Sequence, residues 1–300
     1  MKGYAHPVYA DSLAEFGTPR ELPLCGGWVL ERPIPGFPYR DGMGCYPLFI
    51  CRDWSQLHSD LRALEDELVS LSLVTDPFGH YDVDLLHQCF DVVVPFKKHY
   101  IADLHRPLNE IAGSRHRKNA RRALKKLRVH VFEDPTKFIE EWISLYNDLI
   151  KKHNISGISA FSRTAFAKQL SIPGTVVLSA EYQDVTVAAQ IYFVQGDVVH
   201  CHLGAASQTG YEQGAVHALD FYSIEYFSGK VHWLNLGGAA GITSGNTDGL
   251  SLYKSGWSTE TRTAYFCGRI FNRERYEKIV KTSGITATDY FPAYRKGEFR

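Results

Sequence analysis

Apolar positions recur along this chain at two spacings, and the two alternate. Leu57, Leu61 and Leu64 keep helical spacing behind Ser55, a fair N-cap, and the next apolar run, Leu68 to Val74, is strand-like and stopped by Asp76-Pro77. Val83 to Phe90 fits a second helix and Val92 to Leu104 a second extended segment. Helix followed by strand is the alternation of an α/β layer, so the chain up to Leu104 predicts a small mixed sheet with two helices. Ahead of it, residues 1–40 are rich in Pro and Gly and read as irregular chain with one strand near Gly27 to Leu30. Met43 to Cys51 follows an Asp41-Gly42 turn and is expected to pair with Trp28 to Glu31, with Pro47 marking an edge or bulged strand.

Between Arg106 and Arg128 the pattern turns basic. Arg117, Arg121, Lys125 and Arg128 recur on one predicted helical stripe, with Ala120, Ala123, Leu124 and Leu127 on the apolar side. Two readings stand: a solvated helix face, or a phosphate-binding stripe for a nucleotide-linked substrate or RNA. Beyond it, Val129 to Phe132 is a short strand and Thr136 to His153 a helix with Phe138, Trp142, Leu145 and Leu149 on one side. A second domain begins here, which divides the chain into 1–130 and 131–300. Ser162 opens a further short helix, Pro173-Gly174 closes it, and Thr175 to Tyr182 is a strand.

Val185 to Val194 and Val198 to Leu203 flank Gln195-Gly196-Asp197, a hairpin signal. A three-residue loop sets Tyr192 opposite His200 and Gln190 opposite His202, with the polar set on one face. The two histidines have three readings: metal ligands without a clear third partner, a hydrogen-bonded structural patch with Tyr192 and Gln190, or proton-handling groups in a cleft. Small residues from Gly204 to Gly214 lead into a helix from about Ala215 to Ser228 that ends at Gly229. That turn is either an ordinary connection or an anion-binding helix start. Val231 to Leu236 is the next strand, Gly237-Gly238 permits close backbone approach, and Ala239 to Gly249 suits a substrate-facing loop. Tyr253 and Lys254 follow in a short helical piece before a last strand, Thr263 to Ile270, and a helix around Arg273 to Lys281.

With 300 residues, 44% of them apolar and 22% charged, the composition supports packed cores in two domains. Thirty-three cationic and 33 acidic residues leave zero formal net charge, which excludes bulk electrostatic attraction to DNA or a membrane surface; an anionic partner has to meet a local patch. The six cysteines form no CxxC pair and read as buried thiols in a reducing compartment. No run approaches signal-peptide or membrane-span length, so a cytoplasmic protein, not integral to the membrane, is expected.

In order, HLGAAS (His202 to Ser207), a helix ending at Gly229, LNLGG (Leu234 to Gly238), LYKSGWS (Leu252 to Ser258) and the basic HRKNARRALKK (His116 to Lys126) resemble the FemAB-like acyltransferases of the acetyltransferase-like (GNAT) superfamily. That resemblance covers roughly 106–270. It implies an α/β fold (α+β, with a mixed sheet) of two tandem GNAT-like domains, the first degenerate, with an acceptor site in the cleft between them. It implies transfer of an acetyl, acyl or aminoacyl group from a carrier to an amine of a sugar- or peptide-containing cell-envelope precursor, on a small-molecule, nucleotide-linked or lipid-linked glycan. Acyl-CoA or acetyl-CoA is the expected co-substrate, with no metal. Aminoacyl-tRNA is the alternative donor, although the chain lacks the long heptad helix pair of the peptidoglycan-bridge enzymes; a non-catalytic glycan or nucleotide-sugar module is the other alternative. By position, Lys254 corresponds to the family's aromatic-Lys pair, with Tyr253 as the aromatic partner. Ser207, Gly210, Tyr211 and Gly214 correspond to the donor-binding turn. The expected catalytic set is Lys254, His200, His202 and Tyr192, and the expected acceptor-binding set is Tyr253, Gln190, Gly237, Gly238, Arg117 and Arg121.

Overall fold

The computed structural model describes residues 2–132, 134–239, 249–285 and 288–298. The chain is a mixed α/β protein. Its first elements are α1 (Pro7–Ser12), β1 (Thr18–Leu22), β2 (Gly27–Pro33), β3 (Arg40–Gly44), α2 (Leu57–Arg62), β4 (Ser70–Val74), α3 (Val83–Cys89) and β5 (Val92–Asp103). After them come α4 (Leu108–Ile111), α5 (Ser114–Ala123), β6 (Arg128–Phe132), α6 (Ile139–His153), α7 (Arg163–Leu170), β7 (Thr175–Tyr182), β8 (Val185–Gln195) and β9 (Val198–Ala206). The chain continues through α8 (Gln208–Gln213), α9 (Ala215–Phe227), β10 (Trp233–Asn235), α10 (Gly249–Ser255), β11 (Glu260–Ile270) and α11 (Arg273–Thr282).

Contacts divide the described chain into two compact units, one built from 4–97 and 263–298, the other from 2–3, 98–239 and 249–262. This course differs from a boundary at 130/131. Helix α5 stays with the later residues because it packs on α9, and 263–298 return to the earlier ones because β11 pairs with β4.

In the first unit β1, β2 and β3 are antiparallel, β3 runs parallel to β4, and β4 pairs antiparallel with β11 through Val74 and Phe266. Leu57, Leu61 and Leu64 from the α2 segment and Leu86 from α3 bury against Val29, Phe49, Leu71 and Leu73. The stretch expected to be irregular contains α1 and β1, and the strand expected over Met43 to Cys51 lies earlier, as β3. Ser55 is not the cap: Asp53 Oδ1 accepts from the Ser55 N–H at 3.0 Å and starts a 3-10 turn that leads into α2. Asp41, fully buried, accepts from Arg32 Nε at 3.2 Å and Arg295 Nε at 2.9 Å, while Arg32 Nη1 reaches Glu298 at 2.7 Å. Two guanidinium groups thus offset a carboxylate that water cannot reach.

In the second unit the strand order is β5-β10-β9-β8-β7-β6. Strands β6 to β9 are antiparallel, β9 and β10 parallel, and β10 and β5 antiparallel. Alternation along β7 and β8 gives one face Leu178, Ala180, Ala188 and Tyr192, which bury against Ala120 and Ala123 of α5 and Ala218 and Leu219 of α9. The alternate set, Val177, Ile191 and Phe193, is also buried, on the side of α6 and α7, where Trp142, Tyr146 and Phe166 pack with ring centroids 4.7–5.8 Å apart.

The hairpin departs from the expected register. Gln195 faces Val198, so the loop is Gly196-Asp197 alone, with Gly196 at φ +60°, the left-handed region open to glycine. Tyr192 therefore faces Cys201, and Phe193 faces His200. A bulge follows: Ile191 faces Leu203, so His202 is the extra residue of β9, and Gln190 faces Gly204. The basic stripe is also shorter than expected. Helix α5 ends at Ala123, and Arg128 opens β6, paired with Asp184. No helix among the described residues is long and apolar enough to cross a membrane, and all six cysteines are free thiols, five buried and Cys201 half-buried.

Candidate functional site

Helix α9 buries Ala218, Leu219, Phe221, Ile224 and Phe227, and in their midst it buries a carboxylate, Asp220. A charge so placed needs donors. Gln190 Nε2 donates to Asp220 Oδ1 at 2.6 Å, the Tyr253 hydroxyl to Oδ2 at 2.5 Å, and Tyr192 donates to Gln190 Oε1 at 2.6 Å. Burial raises the Asp220 pKa, opposed by those two hydrogen bonds and by the charge of Lys254. Burial also raises Tyr253 and Tyr192, which keeps both phenols protonated as donors. The chain Tyr192-Gln190-Asp220-Tyr253 thus ties β8, α9 and α10 together.

Lys254, one residue beyond Tyr253, donates from Nζ to the Gly238 carbonyl at 2.7 Å. A Cβ on Gly237 would stand 3.2 Å from Nζ, so glycine there leaves room for the ammonium. Lys254 also lies close enough to Cys201 to oppose the burial that pushes that thiol up to about 12. The backbone beneath these groups separates. Strands β9 and β10 pair only at Val198, Val199 and His200; beyond Asn235, Leu236 and Gly237 keep bonding to Tyr100 of β5, while β9 runs on with β8 to Ala206. The ladder between these two parallel strands thus ends at His200 and Asn235.

Asn235, at the end of this ladder, accepts from the Gly237 N–H at 2.9 Å and lies 3.1 Å from His99 Nδ1 through the same oxygen. That fixes its amide, so Nδ2 faces His200 Nδ1 at 3.1 Å and the His200 proton belongs on Nε2. His202 instead lies among Phe161 and Phe193, with Nε2 3.1 Å from Gln169 Oε1. Burial lowers both histidines to about 3. Burial thus favours the neutral form of both rings, with His200 engaged by Asn235 and His202 by Gln169. Tyr192, with its raised pKa, acts as a donor to Gln190.

The turn after β9 holds itself together. Ser207 Oγ accepts from the Gly210 N–H at 3.2 Å, a Cβ on Gly210 would stand 2.2 Å from the Val187 carbonyl, and Gly214 at φ +74° breaks α8 from α9. These contacts account for Ser207, Gly210 and Gly214 by capping, close packing and backbone conformation. Tyr211 is exposed, with Lys152 Nζ 3.7 Å from its ring centre. Open clefts of about 490 and 440 Å³ run along α5, the second shared with α8 and lined in part by His217. Among the described residues no acidic side chain forms an ion pair with Arg115, Arg117, Lys118, Arg121, Arg122, Lys125 or Lys126, and the buried Nη1 of Arg117 has no hydrogen-bond partner.

The structure therefore brings Lys254, Tyr253, Gly237, Gly238, Gln190 and Tyr192 into one neighbourhood and turns His202 away from it. Of the loop expected to face substrate, 240–248 lie outside the described residues. Asp220, Asn235 and His99 escape a reading of the sequence, although a lone carboxylate in the apolar run AVHALDFYSI is a usable signal.

No family model matches the sequence, and no curated protein matches it. Solved structures do match in fold. FemX is 14% identical, with 84% of this chain and 86% of that one covered at a TM-score of 0.61. L-PGS from Bacillus licheniformis is 14% identical, with 96% and 99% covered at 0.62. The C-terminal domain of a putative lysylphosphatidylglycerol synthetase from Agrobacterium fabrum is 13% identical, with 92% and 91% covered at 0.61. At these identities the likeness is one of fold.

Proposed function

We propose that this protein is an acyl- or aminoacyltransferase of the FemAB-like, GNAT-related kind that loads an amine of a sugar- or peptide-containing cell-envelope precursor. The fold shared with FemX and L-PGS supports the class. The observation that carries the reading is the Lys254 ammonium, held 2.7 Å from the Gly238 carbonyl where β9 and β10 part, with Tyr253 anchored next to it on buried Asp220.

In the proposed reaction the acceptor amine attacks the carbonyl carbon of a carrier thioester or ester. The oxygen gains charge, which Lys254 offsets, and the carrier leaves as thiol or alcohol with the proton given up by the amine. Acyl-CoA is the donor of this reading. The cations of α5, without ion pairs among the described residues, favour aminoacyl-tRNA as a second donor, and its binding then weakens steeply with salt.

Transfer assayed by mass spectrometry with acetyl-CoA, longer acyl-CoAs and charged tRNA against amino-bearing UDP-sugars and peptides tests the proposal. Lys254→Ala should lower kcat by about 100-fold, far more than it lowers stability; wild-type turnover in that variant sinks the role. Thermal shifts with UDP-sugars and no transfer from any donor would leave a binding module instead.

A further inference from the structure

At the far end of β10 from Gly237, three side chains of metal-ligand type meet. Asp103 closes β5, His105 follows two residues on, and His232 precedes β10; one ligand atom from each lies within 4.8 Å of the others. His232 Nε2 is 3.2 Å from Asp103 Oδ1, and its ring stacks on His105 with centroids 3.8 Å apart.

We propose that Asp103, His105 and His232 form a binding site for a zinc-type divalent ion. The two imidazoles select a borderline metal over calcium or magnesium. What separates the cluster from a chance meeting is its outer shell. The Asp197 carboxylate accepts from the His232 backbone N–H at 2.8 Å and lies 3.8 Å from Nδ1, within ion-pair range, so a carboxylate stands behind the imidazole while Nε2 faces Asp103. The Asp103 carboxylate is held on both oxygens, Oδ2 by Arg106 Nε at 3.2 Å and Oδ1 by the His105 backbone N–H at 3.1 Å. Asp103 is therefore oriented, with His232 Nε2 held against it, before any ion arrives. The third, His105, is exposed and stacked parallel to His232, so its ring has to swing out of the stack to aim a nitrogen at the same point. An exposed side chain does this at small cost, and three ligands leave a fourth position to water.

The test is calorimetric titration of the reduced full-length protein with zinc chloride, alongside melting temperatures. One equivalent should bind and raise Tm by about 2–5 °C, with no shift from calcium or magnesium. His105→Ala removes only an exposed ring and should weaken zinc at least about 10-fold; Asp197→Asn, behind His232, should weaken it by about 10–100-fold. Absence of binding, or zinc affinity unchanged in His105→Ala because thiols hold the ion, overturns the proposal.

Discussion

The two histidines on β9 should make this protein acid-sensitive, and the size of the effect follows from their burial. His200 is 2% exposed and His202 8%, and each is lowered from 6.5 to about 3. Between those values the unfolded chain binds the two protons and the folded chain does not. Stability therefore falls as pH drops from about 6.5 toward 3, and none of the penalty is present at neutral pH. At about pH 5 the unfolded state gains roughly 1.5 units of protonation free energy per imidazole at about 1.4 kcal/mol per unit, so about 2 kcal/mol each. Two such terms are a large part of a total stability of about 5–15 kcal/mol. Urea unfolding at about pH 7 and pH 5 measures the drop. His202→Gln keeps a donor for Gln169 but cannot titrate, and it should recover about 2 kcal/mol of the difference. An unchanged pH dependence in that variant, or an NMR titration of His202 near 6.5, would refute the reasoning.

The buried polar chain and the packing of α8 give two further expectations. Asp220→Ala leaves Gln190 Nε2 and the Tyr253 hydroxyl without their acceptor and should cost about 2–6 kcal/mol, at about 1–3 for each stranded donor; Asp220→Asn, which retains one acceptor oxygen, should cost less, and equal losses by urea denaturation would contradict the network. Gly210→Ala drives a methyl to 2.2 Å from the Val187 carbonyl and should destabilise by about 3 kcal/mol, read as a lowered urea midpoint whether or not any ligand is present.

Strong periodicity made much of the fold legible. Thr175 to Tyr182, Val83 to Phe90 and Arg273 to Lys281 form the expected elements within a residue or two. Register was not legible, because it turned on whether Gln195 belongs to the loop or to the ladder, and then on a bulge at His202 that no local pattern marks. The candidate site was half legible. Tyr253 and Lys254 stand out by position, whereas Asp220 and Asn235 matter through partners far away in sequence: Gln190 is 30 residues from Asp220, and His99 is 136 from Asn235. Helix α5 stopped short because Leu127 is needed in the core beneath it and Arg128 in the ladder of β6.

The return of the C-terminal residues to the first unit has a consequence for synthesis. The Tyr265 N–H that donates to Thr75 Oγ1 comes 190 residues later in the chain, and Glu298 follows Arg32 by 266. At about 5–20 residues per second, roughly 10–40 s pass on the ribosome during which β4 has β3 on one edge and nothing of β11 on the other, and Arg32 and Asp41 wait for Arg295. An open strand edge invites pairing with another chain. The nascent first unit is thus the part of this protein that a chaperone has most reason to hold, and a ribosome stalled before β11 would release a chain that cannot close its own sheet.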